Sequence, residues 1–133
     1  MSKGDQRDPK EVVGRFWDAV NERDLSRLLE LCDEQIELDS ALGSTHHGHD
    51  GVKSWWQDLF EVAGRYEGTI EDSLAFDDLI LALVRVDATG QTSGMEGTRH
   101  VLQVFNVRQG KVNRLAVHLD PADALEDAAR QLR

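Results

Sequence analysis

The repeat of the apolar residues changes at Gly64, and this change constrains the fold more than any other feature of the chain. Before it, apolar side chains recur at helical spacing. Val12, Val13, Phe16, Trp17 and Val20 share one face, and Val52, Trp55, Trp56, Leu59, Phe60 and Ala63 share another. Such stripes belong to amphipathic helices packed on a core. After it the period is 2. Segments 67–76, 79–88, 98–108 and 111–119 alternate as strands do, separated by turn signals at Asp77-Asp78, "ATGQTSG" and "RQGK". Helices first and a strand meander afterwards predict an α+β fold, a curved antiparallel sheet wrapped around three N-terminal helices.

Helix ends are marked by their caps. Asp8 can cap a helix that begins at Pro9, with Glu11 placed for a capping box. Asp24 can cap a short second helix carrying Leu25, Leu28, Leu29 and Cys32. A short strand, "QIELDS", follows, and then a loop holding His46, His47 and His49. Asp50 and Gly51 open the third helix. Asp120 and Pro121 open a short C-terminal one, with Ala122, Leu125, Ala129 and Leu132 on one face.

The chain of 133 residues suits one domain, expected over residues 9–133 behind an unstructured lead-in at 1–8. No apolar run approaches the ~20 residues of a membrane span, and the N-terminal residues lack the apolar stretch of a secretory signal. A net charge of −10 leaves no basic stripe for nucleic acid. Lone Cys32 offers neither an internal disulfide nor a cysteine zinc cluster, which suits a reducing cytoplasm.

Three strings carry a resemblance: "FWDAVNERDLSRLLELCDEQIELD", "HGHDGVKSWWQDLF" and "VFNVRQGKVNRLAVHLD". In their order and over residues 9–125 the chain resembles the SnoaL-like branch of the NTF2-like superfamily. The resemblance implies a small α+β cone with an apolar pocket between the helices and the concave sheet face. That cone hosts ketosteroid isomerases, polyketide cyclases, epoxide hydrolases, dehydratases and binding modules without chemistry, so the site residues must decide the activity.

Beside a ketosteroid isomerase the span from Phe16 to Trp56 runs without a gap. Asp39 then falls at the place of the carboxylate base, where an apolar pocket would raise its pKa for proton transfer beside a carbonyl. The alternative is that Asp39 only ends a strand and bonds loop amides. Phe16 stands where the isomerase keeps its tyrosine donor. The acid's place falls near Leu102 or Gln103, and strand alternation favours Gln103, whose amide can still donate. An epoxide hydrolase's Asp-Arg-Asp relay could take Arg99 as its middle member, but Val101 and Gln103 stand where a partner carboxylate is needed. Asp120 as an acid competes with its role as a helix cap.

The pocket lining implied is Phe16, Trp17, Val20, Trp55, Val84, Gln103, Phe105 and Val117, with His46 and His47 at the rim. Trp56 is expected in the core, and His100 and His118 on the outer sheet face. His46 and His47 are adjacent and diverge in an extended loop, and His49 follows a flexible glycine, so no metal site is expected. The resulting expectation is a cofactor-independent isomerase or cyclase acting on a small hydrophobic carbonyl compound through Asp39. A hydrophobic-ligand-binding module or a dimeric accessory protein is the alternative. "LILALVRVD" and "HVLQVFNV" are apolar on both faces, which predicts a cover for the outer face, most simply a two-fold homodimer through the sheet.

Overall fold

The computed structural model describes residues 8–90 and 96–133. The expected lead-in (save Asp8) and most of the "ATGQTSG" turn lie outside the described residues. Helix α1 (Pro9–Asn21) and helix α2 (Leu25–Glu30) lead into strand β1 (Cys32–Asp39). A three-residue strand β2 (Thr45–His47) precedes helix α3 (Gly48–Val62). Strands β3 (Ala63–Phe76), β4 (Leu79–Gly90), β5 (Glu96–Arg108) and β6 (Lys111–His118) then form the meander, and helix α4 (Pro121–Gln131) closes the chain. Among the described residues no helix is long and apolar enough to cross a membrane.

The six strands lie in the order β2-β1-β6-β5-β4-β3. Every neighbouring pair is antiparallel except β1 and β6, which run parallel with Leu38 opposite Leu115. The meander is the curved antiparallel sheet expected, and β1 adds one parallel pair to it. After the β1–β2 hairpin, α3 carries the chain to the far edge of the sheet, and the meander returns to β1 in the same direction. Register shifts leave one extra residue at Glu71 in β3 and at Asn113 in β6.

Helices α1 and α3 lie on the inner face. Phe16, Val20, Val84 and Phe105 are fully buried there, with Phe16 and Phe105 meeting edge to face at 5.5 Å. Gly68 fixes where α1 docks on β3. The Asn21 amide donates to the Gly68 carbonyl at 3.0 Å, and its side-chain oxygen accepts from the Gly68 N–H at 2.8 Å. A Cβ at position 68 would overlap the indole of Trp17, so only glycine lets the helix this close.

Asp8, Asp24 and Asp120 cap as expected, each accepting a backbone N–H one turn in at 3.0, 3.1 and 2.9 Å. Glu11 instead pairs with Arg15 at 2.8 Å. The third helix begins earlier than Asp50, at Gly48, with His47 at its cap position. The C-terminal helix is rotated relative to its leucine stripe. Leu125 and Leu132 are 59% and 51% exposed, while Ala124, Asp127 and Ala128 face the sheet. The receiving surface decides this. Arg114 and His118 stand on the outer face beside Leu79, Leu81 and Val104, so the helix turns its carboxylate and its small side chains inward.

Candidate functional site

A cavity of about 430 Å³ opens between α3, the concave sheet face and the β1–β2 connection. Its walls are apolar and aromatic: Leu38, Trp55, Trp56, Leu59, Tyr66, Val86, Val101, Leu115 and Val117. Ala41, Leu42 and Leu119 border it as well, and Leu42 is 85% exposed. Ser40, Arg99 and Gln103 bring polar side chains to it, and Thr98 borders it. The Thr98 hydroxyl is spent on Asp87 at 2.7 Å.

Gln103 is held from behind. Trp17 Nε1 donates to Gln103 Oε1 at 2.9 Å in a buried contact, so the amino end is what this side chain can offer the cavity. Trp17 stacks at 6.4 Å on Tyr66, the only tyrosine of the chain. Burial pushes the Tyr66 phenol up to about 12, so it stays protonated and can serve as a donor but not as a base. Trp56 is buried in the wall, and its indole N–H has no partner among the described residues. Ser40 begins a chain of hydroxyls: its Oγ lies 2.7 Å from Ser44 Oγ, which lies 3.1 Å from His46 Nε2. The His46 ring rests on Trp55 at 5.1 Å.

Of the side chains expected to line a pocket, Trp55, Gln103 and Val117 do so. Phe16, Trp17, Val20, Val84 and Phe105 do not. They form the packed core beneath, where facing elements approach too closely to leave space. Trp56, expected in the core alone, is both buried and part of the wall. His46 reaches the site through Trp55 and the serines. The three histidines separate. His47 is exposed at the cap of α3, and His49 Nε2 contacts the Cys32 carbonyl at 2.9 Å.

Asp39 is on the other side of the sheet. Alternation along β1 buries Ile36 and Leu38 and turns Glu37 and Asp39 outward. Asp39 accepts from Thr45 Oγ1 at 2.8 Å and pairs with Arg114 at 3.3 Å. The expectation that it stands at the pocket mouth is corrected by this alternation. Glu37 beside it has its pKa raised by a hydrogen bond with Asp39, by burial and by the Asp39 charge.

Arg114 joins Asp39 to a buried cluster that sequence reasoning missed. Asp127 is 1% exposed, and receives Arg114 at 3.1 Å and His118 Nε2 at 2.8 Å. Burial disfavours its charge, but the His118 hydrogen bond and the Arg114 guanidinium outweigh that and hold its carboxyl below the usual value. The cluster fastens α4 to the outer face. His118 is thus an outer-sheet residue as expected, as is His100, which contacts Glu71 at 2.9 Å.

The model of the SnoaL-like domain matches residues 13–115, most of the chain. The chain belongs to the SnoaL-like domain family. No curated protein matches the sequence. Solved structures share the fold of this SnoaL-like domain at low identity. IdmH from Streptomyces antibioticus, a candidate polyketide cyclase, is 17% identical with a TM-score of 0.77, covering 92% of this chain and 99% of its own. An NTF2-like protein of unknown function from Burkholderia pseudomallei is 20% identical with a TM-score of 0.77, covering 95% and 97%. TerC, crystallised with polyporic acid, is 18% identical with a TM-score of 0.76, covering 91% and 98%. At these identities the likeness establishes the SnoaL-like cone. The side chains of the cavity must speak for its chemistry.

Proposed function

We propose that the cavity binds a small, mostly apolar carbonyl compound and performs cofactor-independent acid/base chemistry on it, of the isomerase or cyclase kind. The observation that carries this reading is the orientation of Gln103. Trp17 occupies its oxygen, which leaves an N–H donor for a carbonyl oxygen in an apolar surround. Tyr66, held in its protonated form by burial, lines the same cavity and offers its ring and a neutral hydroxyl to the body of the ligand. Proton removal from the carbon next to the carbonyl falls to His46, relayed through Ser44 and Ser40. As that C–H bond breaks, its electron pair moves into the carbon–carbon bond and the negative charge collects on the oxygen held by the Gln103 amide. Asp39 has no part in these steps, because Arg114 holds it on the opposite face.

The test uses 2-tetralone, a flat ketone with exchangeable α-hydrogens, in deuterium oxide followed by proton NMR. Wild type and Asp39→Asn are expected to accelerate exchange equally, and His46→Phe to lose the acceleration. Binding without acceleration over buffer refutes the acid/base reading. A second reading then stands, a binding module without chemistry. One observation favours it: among the described residues no carboxylate lines the cavity.

Two further parts of the reading concern assembly and compartment. We infer a homodimer through the outer face that α4 leaves uncovered, near Leu74 and Phe76, which are 54% and 42% exposed. The free, buried Cys32 suits a reducing cytoplasm.

A further inference from the structure

Arg99 is the only charged side chain among the described residues of the cavity lining. It stands in a chain with 25 acidic residues against 15 lysines and arginines, yet none of the ion pairs among the described residues includes it. Arg85, one strand away on the outer face, shows the contrast: Glu71 and Asp87 pair with it at 3.6 and 3.3 Å. The register explains the difference. Arg99 lies opposite Val86, on the inward row of β5 that continues through Val101 to Gln103. Outward-facing carboxylates therefore cannot reach it. Four residues of strand set Arg99 and Gln103 roughly 13 Å apart at their Cα atoms, and Tyr66 lies level with Gly97, just beyond Arg99.

We propose that the cavity selects an amphipathic anion: a flat body of two or three fused rings against Trp55, Trp56 and Tyr66, with a carboxylate, sulfonate or enolate oxygen on Arg99 and its carbonyl end toward Gln103. This rests on the reading of the cavity as the ligand site and adds the charge of the ligand and its direction of entry. A neutral apolar compound leaves a lone guanidinium at the mouth without use. An anion receives a planar fork of donors at one end and apolar contact along its length. The net charge of the whole molecule would otherwise repel such a ligand, so a local cation is what makes its capture favourable.

A matched pair of fluorescent probes separates charge from shape. 8-Anilino-1-naphthalenesulfonate and N-phenyl-1-naphthylamine share one ring skeleton and differ by the sulfonate. Arg99→Gln is expected to weaken the sulfonate about fivefold, the size of a partly exposed charge pair, and to leave the amine, which has no charge for Arg99 to pair, within about twofold. Arg99→Lys should restore most of the loss, and added salt should weaken only the sulfonate. If Arg99→Gln weakens both probes alike, or neither, the anion proposal is overturned while the ligand site stands. If neither probe binds natively folded wild type, the cavity reading itself fails and takes this inference with it.

Discussion

Replacing Asp127 by asparagine removes a charge from the most enclosed ionic cluster among the described residues while keeping the side chain's shape. Asp127 is 1% exposed and lies against Arg114 and His118, which are 20% and 21% exposed. Breaking a fully buried ion pair costs about 3–5 kcal/mol. Here the guanidinium is partly hydrated and keeps Asp39 at 3.3 Å, so the expected loss is about 2 kcal/mol. For a chain of this length that lowers the midpoint of thermal unfolding by roughly 6–10 °C. Urea unfolding followed by circular dichroism should show the lower midpoint with an unchanged slope, since the surface exposed on unfolding is the same.

The pH dependence carries a sign of its own. The His118 hydrogen bond and the Arg114 guanidinium hold the folded Asp127 carboxyl below the usual carboxylate range. Its stabilisation is therefore complete above about pH 4 and is lost as the pH falls through the depressed folded value. The variant lacks this acid-labile part, so its stability curve should be flatter below about pH 4. A variant within about 0.5 kcal/mol of wild type at neutral pH, the range of an ordinary surface change, would refute the view that the cluster fastens α4.

Two other perturbations probe the support of the cavity and the core. Gly68→Ala should displace the Trp17 indole, costing about 1–3 kcal/mol as an overpacked contact and releasing Gln103; a crystal structure with the Trp17–Gln103 bond intact would speak against this account. Burial pushes the Cys32 thiol up to about 12, so it should resist Ellman's reagent at neutral pH until the chain unfolds; rapid labelling of the native protein would mean that this core opens readily.

The helices and strands were legible because local chemistry declares them. Caps at Asp8, Asp24 and Asp120, and the turns around Asp77 and Gly110, are side-chain or backbone requirements written at single positions. The outward direction of Asp39 was written too, in the alternation Ile36, Glu37, Leu38, Asp39, but the likeness to an isomerase carried more weight than that pattern. Other features depend on which surfaces meet. Ala124, Asp127 and Ala128 become the buried face of α4 only because the outer sheet presents Arg114 and His118, and the Leu125/Leu132 stripe points the other way. Phe16 and Trp55 have the same apolar character, yet one is core and the other cavity wall. A cavity is the space left where packing stops, and residue patterning does not mark it. Tyr66 was missed for a simpler reason. The third helix passes directly into β3 at Ala63, so the strand begins four residues before the segment expected from residue 67.

The central claim is that ligand sits between the α3 aromatics and Gln103, and not on the face that carries Asp39. Intermolecular nuclear Overhauser effects from bound 2-tetralone test it most directly. Contacts to the Gln103 side-chain amide and the Trp55 indole, with none to Arg114 or His118, are the predicted result. Contacts to Arg114 and His118 without any to Gln103 would move the site to the outer face and contradict the account.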